Sequence, residues 1–213
     1  MFAGVIAGAG GVTQIGTGTT ILTGANTYSG GTIITAGTLE AGSPSALSQN
    51  SEFTVNSILD LHGFNGTIAS LSGTGAVLNN DATAAALAVG NNNASTTFSG
   101  VLQDGTSALQ LTTSGTGTLT LTGANTYSGG TTISVGTLQV GNGGATGSIT
   151  GNVTDNGILA FDRSNALTFA GAISGVGNVT QIGTGTTILT GANTYSGGTI
   201  ITAGTLEGIS ERT

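Results

Sequence analysis

The stretch Leu22-Thr23-Gly24-Ala25-Asn26-Thr27-Tyr28-Ser29-Gly30-Gly31-Thr32 decides the fold, because the chain uses it three times. The same letters, LTGANTYSGGT, return at Leu121 to Thr131 and at Leu189 to Thr199. Each copy is led in by Gly-Thr-Gly-Thr, at Gly16, Gly115 and Gly183, and is followed by a β-branched run and Gly-Thr-Leu at Gly37, Gly136 and Gly204. A pattern that recurs with its flanks intact is a structural unit, and internal repeats govern the reading of everything else. Between residues 2–40 and 169–207 only Val5/Ala172, Ala7/Ser174, Ala9/Val176 and Gly11/Asn178 differ.

Working outward, the runs beside these copies are short and alternate. In Thr118-Leu119-Thr120-Leu121-Thr122 the leucines fall on one face and the threonines on the other. Gly, Asn and Ser interrupt such runs every few residues, and no stretch keeps a helical period. Forty glycines and many threonines also argue against helix. Charged residues make up 5% of the chain, but hydrophobic ones make up 37% and mean hydropathy is +0.30, which is not a disordered composition. Short alternating strands within near-identical units predict a solenoid, in which like rungs stack. Some 20 strands at three per coil predict about seven to nine coils and a rod of ~35–45 Å.

Net charge is −7, with Arg163 and Arg212 as the two cations and no Lys. That excludes nucleic-acid backbones and anionic membrane surfaces as partners, since both require clustered cations. No cysteine is present, so disulfides and thiolate metal sites are excluded. No apolar run reaches the length of a membrane-spanning helix. Met1 to Gly11 lacks a basic leader and reads as repeat material, so export signals are expected outside this chain.

The pattern FxGxI…GxG…GTGTLTLTGANTYSGGTTISxGTLQVG resembles the autotransporter-associated β-strand repeat, also called the passenger-associated transport repeat. Gly115 to Gly141 is its best match, Gly16 to Glu40 and Gly183 to Glu207 match nearly as well, and Phe64 to Gly75 and Phe98 to Gly100 resemble its intervening stretches. The resemblance implies a right-handed parallel β-helix displayed on a Gram-negative surface and exported by a C-terminal outer-membrane barrel. It implies a passenger fragment, an engineered piece or a relative used differently. The expected organisation is a single all-β solenoid over 1–207. Its units are 2–40, 64–90, 98–141 and 169–207, with variable coils between and 208–213 as a tail.

The candidate sites follow from this frame. Asn26, Tyr28, Gly30 and Gly31, with their counterparts Asn125, Tyr127, Gly129 and Gly130 and Asn193, Tyr195, Gly197 and Gly198, are expected at structural corners. There Gly-Gly turns the chain, Tyr anchors it and Asn bonds turn backbone. Asp60 and His62 lie two apart on an expected strand and share a face. Asp60, Asp81 and Asp104 are spaced about one coil apart. Stacked, they would resemble the carboxylate sites of glycoside cleavage or calcium binding. No Gly-x-Ser-x-Gly elbow and no Lys-bearing phosphate loop is present. Local Thr-x-Thr arrays at Thr17/Thr19 and Thr116 to Thr122 suggest ordered water on a flat face but do not recur at every coil. Sequon matches at Asn65, Asn93, Asn152 and Asn178 are what an Asn- and Thr-rich chain yields by chance.

The reading is therefore a non-enzymatic stalk segment of a secreted or cell-surface adhesin-type passenger, with neither cofactor nor metal. Head-to-tail association through the solenoid ends and a host-surface or glycan contact are its expected interactions. A carbohydrate-active β-helix, lyase or hydrolase, is the alternative, and an ice-binding solenoid is third.

Overall fold

A computed structural model describes residues 1–208. Among them there are 24 short strands and no helix, and every strand pairing is parallel. The chain winds through three sides in turn. Side 1 carries Val12–Gln14, Thr32–Ile34, Glu52–Val55 and Ser70–Ser72 in one sheet, then Thr96–Phe98, Thr118–Leu121, Thr137–Val140, Ile158–Phe161, Asn178–Gln181 and Thr199–Ile201 in a second. A parallel bridge from Gly73 to Phe98 joins the two sheets, giving ten rungs. Side 2 begins with Thr19–Leu22, Thr38–Ala41, Ile58–Asp60, Ala76–Leu78 and Val101–Leu102, and ends with Leu167–Phe169, Thr186–Leu189 and Thr205–Gly208. Side 3 carries Gly66–Ile68, Ala85–Val89, Leu109–Thr113, Thr131–Ile133, Val153–Asp155 and Ile173–Ser174.

The fold is thus a parallel β-solenoid with up to three strands per coil. Ten coils replace the seven to nine expected, and at the inter-strand spacing they make a rod of about 45 Å. The shortfall has a physical cause. Several sides, such as those at residues 24–30 and 141–147, carry no strand, so dividing strands by three undercounts coils. Gly208 still pairs with Leu189. The rest of the expected tail, residues 209–213, lies outside the described residues.

Alternation builds the core. Leu39, Leu59 and Val77 stack in register inside side 2. Leu119, Leu138, Leu159 and Val179 do so inside side 1, and Leu87, Leu111, Thr131, Val153 and Ile173 inside side 3. All these side chains are buried. Intervening residues such as Ile33, Thr54, Thr112 and Thr154 face outward, as the two-residue period of a strand requires. Glycine matters most at Gly37, Gly136 and Gly204. Each has φ between 63° and 74°, and a Cβ there would come within about 2.3 Å of a carbonyl oxygen of the preceding coil.

Coils advance by 18 residues at Glu52/Ser70 and by as many as 25 at Gly73/Phe98. This variation sets where each repeat lands. The first and third copies run along side 3 between side 2 and side 1. The second runs along side 2, because its lead-in strand Thr118–Leu121 is on side 1 and its exit strand Thr131–Ile133 is on side 3. The outer copies are eight coils apart and in phase, and the middle copy is turned by one side.

Candidate functional site

The organising stretch forms a whole side of its coil and ends in the Gly-Gly turn. Between its first Leu and its last Thr, which belong to the flanking strands, it carries no strand, yet its backbone is bonded to the coil before it. Thr27 N–H donates to Ile6 O at 2.9 Å and Ser29 N–H to Gly8 O at 2.9 Å. Thr126 N–H donates to Leu102 O and Gly129 N–H to Leu109 O in the second copy, and Thr194 N–H to Ile173 O in the third.

Asparagine locks this side to both neighbouring coils. Asn26 Oδ1 accepts from Ile6 N–H at 2.8 Å while its Nδ2 donates to Ala46 O at 2.7 Å. Asn125 repeats the arrangement, with Leu102 N–H at 2.8 Å and Ser148 O at 2.8 Å. Asn193 Oδ1 accepts from Ile173 N–H at 2.9 Å. A short side chain with one acceptor and a donor pair can satisfy an amide on one coil and a carbonyl on the next. Asn26 and Asn125 are buried, where an unpaired backbone group would be costly.

Tyrosine closes the same side. The phenol hydroxyls of Tyr28, Tyr127 and Tyr195 hydrogen-bond the hydroxyls of Thr32, Thr131 and Thr199 at 2.6–2.7 Å. In the first copy the chain of hydroxyls continues from Thr32 to Ser51 at 2.8 Å, and Ser51 donates to Gly30 O. Ser48 Oγ donates to Tyr28 O, and Thr150 Oγ1 to Tyr127 O. Burial pushes the Tyr127 phenol above its ordinary pKa, with the Thr131 bond opposing. Tyr28 is raised by the same cause, opposed by its bonds to Thr32 and Ser51. Neither phenol serves as a proton donor to solvent or substrate, since both are fully buried.

The acidic residues stand on or just beyond side 2. Asp60 ends the strand Ile58–Asp60, while Asp81 and Asp104 lie in the loops after Ala76–Leu78 and Val101–Leu102. The register row through Asp60 contains Ile21, Glu40, Asp60 and Leu78, so Asp81 and Asp104 lie off it. Each carboxylate binds nearby backbone. Asp60 Oδ1 accepts from His62 and Asn80 N–H, and Asp81 Oδ1 from Thr83 N–H. Asp104 accepts from Leu109 and Ser128 N–H. Hydrogen bonds to Thr83, aided by the nearby His62, hold the Asp81 carboxyl below its usual pKa. At Asp104 partial burial pushes the pKa up, but the bonds from Leu109 and Ser128 outweigh it and the net direction is down. Glu40 is the residue that the sequence reading left out of this group. Its signal was the spacing of 20 residues to Asp60, one coil, which places the two on adjoining rungs.

The passenger-associated-transport-repeat family model matches residues 12–41, 111–140 and 179–207. A 49-residue segment is 59% identical to the adhesin BmaC autotransporter of Brucella suis biovar 1 (strain 1330). That match covers 23% of this chain and 1% of the relative, so the chain spans a very small part of that protein. No solved structure matches.

Proposed function

We propose that this chain, which carries three passenger-associated transport repeats, is a non-catalytic stalk segment of an adhesin-type autotransporter passenger, displayed outside the cell. The observation that carries this reading is where the repeated polar residues go. Asn26 and Asn125 are spent on coil-to-coil bonds inside the stack, Tyr28 and Tyr127 on bonds across their own Gly-Gly turn, and Asp60, Asp81 and Asp104 on backbone amides. Such residues make a rod stiff without presenting a reactive group. The length of the rod, set by coil number, is then the property that matters: it holds distal parts of a passenger away from the surface.

Self-association belongs to the same proposal. The first coil presents Phe2 and Val5, and the last presents Ile200 and Ile201, all exposed. Among the described residues the terminal rungs leave strand edges that template pairing, and when the 213-residue chain is made alone a second copy of it is the occupant that fits both ends. Sedimentation velocity over a concentration series tests this, with end-to-end oligomers expected at high concentration; a monomer throughout contradicts it. The non-catalytic part is tested by a polysaccharide screen of the wild-type chain beside Asp60→Asn, Asp81→Asn and Asp104→Asn. No turnover is expected, whereas turnover abolished by one of these substitutions would establish the carbohydrate-active alternative.

A further inference from the structure

Nine acids and one histidine are spread over 213 residues, yet Glu40, Asp60 and His62 meet on adjoining coils. Glu40 and Asp60 are paired in register on Thr38–Ala41 and Ile58–Asp60. Their neighbours Leu39 and Leu59 fill the core, so both carboxylates face outward, one above the other. Like charges directly opposite each other in a sheet repel. Water screens this pair poorly, because Asp60 is only 4% exposed. Among the described residues no guanidinium offsets them. Arg163 donates instead to the carbonyls of Gly147 and Ala145 and to Asn165 Oδ1.

The histidine completes the arrangement. Its Nε2 is 3.9 Å from Glu40 Oε1. Its Nδ1 is enclosed and has no hydrogen-bond partner. Asp60 holds the His62 backbone N–H through Oδ1 at 2.9 Å, which fixes the turn that brings the ring back over the carboxylates. One oxygen of each acid and one ring nitrogen lie within 4.8 Å of one another. A groove of about 450 Å³ opens beside them, lined by Ile21, Thr23, Glu40, His62 and Asp81 among others. It gives water and ions access to the cluster from the outside.

We propose that Glu40, Asp60 and His62 form a binding site for a divalent transition-metal ion of the zinc type, with water from the groove completing its shell. Two carboxylates match the charge of a divalent cation. The imidazole selects zinc-like ions over calcium and magnesium, which prefer oxygen alone. Tetrahedral zinc with ligands at about 2.0–2.2 Å needs donor atoms about 3–3.5 Å apart. Rotation of the Glu40 and His62 side chains, neither of them fully buried, supplies the closure. The bound ion would tie the second coil to the third.

Isothermal titration of the whole chain with zinc chloride, and separately with calcium chloride, tests the site. One equivalent of zinc is expected to bind, raising the melting temperature, while calcium at the same concentration gives no comparable binding. His62→Ala and Glu40→Gln, both on the open side of the cluster, are each expected to weaken zinc by more than about tenfold. Asp104→Asn, outside the cluster, leaves it unchanged. No zinc binding by the wild-type chain, unchanged affinity in His62→Ala, or a preference for calcium would each overturn the proposal.

Discussion

Residues 25–40 and 192–207 are letter for letter the same, but they do not have the same structure energetically. Ile34 is 0% exposed and its counterpart Ile201 is 52% exposed. Tyr28 is fully buried and Tyr195 only partly. Asn26 bonds both the coil before and the coil after, while Asn193 holds the amide of the coil before it. The reverse holds at the other end, where Phe2 is 47% exposed and its counterpart Phe169 is 2% exposed. Local conformation therefore comes from the letters, and burial comes from having a neighbouring coil. In a solenoid each unit is stabilised by its own fold plus its interfaces, and the two ends of this rod lack one interface each among the described residues.

Substitutions that remove inter-coil packing separate the copies most widely. Tyr127→Ala empties a fully buried site and is expected to cost about 3–5 kcal/mol, whereas Tyr195→Ala costs about 1 kcal/mol or less; urea midpoints of the two variants give the comparison. Asn125→Ala leaves the buried Leu102 amide without a partner and takes from the Ser148 carbonyl the shorter of its two bonds, the backbone N–H of residue 125 remaining, and is expected to cost about 2 kcal/mol. Asn193→Ala, which frees one amide, costs about half as much. Equal losses from the two asparagine variants would break the account.

Gly136→Ala and Gly204→Ala form the internal control. Both glycines have positive φ and both face carbonyls of a preceding coil that is present. The local strain should be similar, about 2 kcal/mol for the left-handed backbone with the clash against a carbonyl of the preceding coil added to it, though at Gly204 it can be relieved by fraying the last coil alone. Amide exchange confined to residues 186–208 in the Gly204 variant, against exchange spread through the middle of the stack in the Gly136 variant, is the expected pattern.

The smallest effect concerns Asp155, which is fully buried with Oδ2 unpartnered. Burial raises its pKa above the usual 3.8, despite amide bonds from Gly157 and Leu159. The native state thus holds this proton more tightly than the unfolded chain does. The contribution of this group to stability is fully present below the unfolded value and is lost as pH rises through the raised native value. Asp155→Asn is expected to stabilise the protein by about 1 kcal/mol at neutral pH and to flatten the fall in melting temperature that this group causes as pH rises above the usual carboxylate value.

Much of this was legible in the letters. The triplicate LTGANTYSGGT and the alternation in Thr118 to Thr122 point to stacked short strands, and Thr118–Leu121 is one of them, with its leucines turned to the core. What the letters hide is phase. The lengths of the intervening loops decide that the second copy is turned by one side, and loop length constrains the winding only after the register of every rung is known. The acids show the same limit. Asp81 and Asp104 have coil-like spacings from Asp60, yet loops after Leu78 and Leu102 carry them past its row, and Glu40 takes the place beside it. Asn26 and Asn125 were readable as backbone binders, but their reach to two coils at once depends on neighbours some 20 residues away in each direction.

Hydrogen exchange resolved by residue, measured at low and at high protein concentration, tests the central claim most directly. At low concentration the amides of Thr32–Ile34 and Thr131–Ile133 are predicted to exchange orders of magnitude more slowly than those of Thr199–Ile201. At high concentration protection at Thr199–Ile201 and at Phe2 to Gly11 should rise together as the exposed ends meet. Equal protection of the first and third copies in the dilute chain would contradict the account, because burial would then follow from the repeat itself and not from the coil stacked upon it.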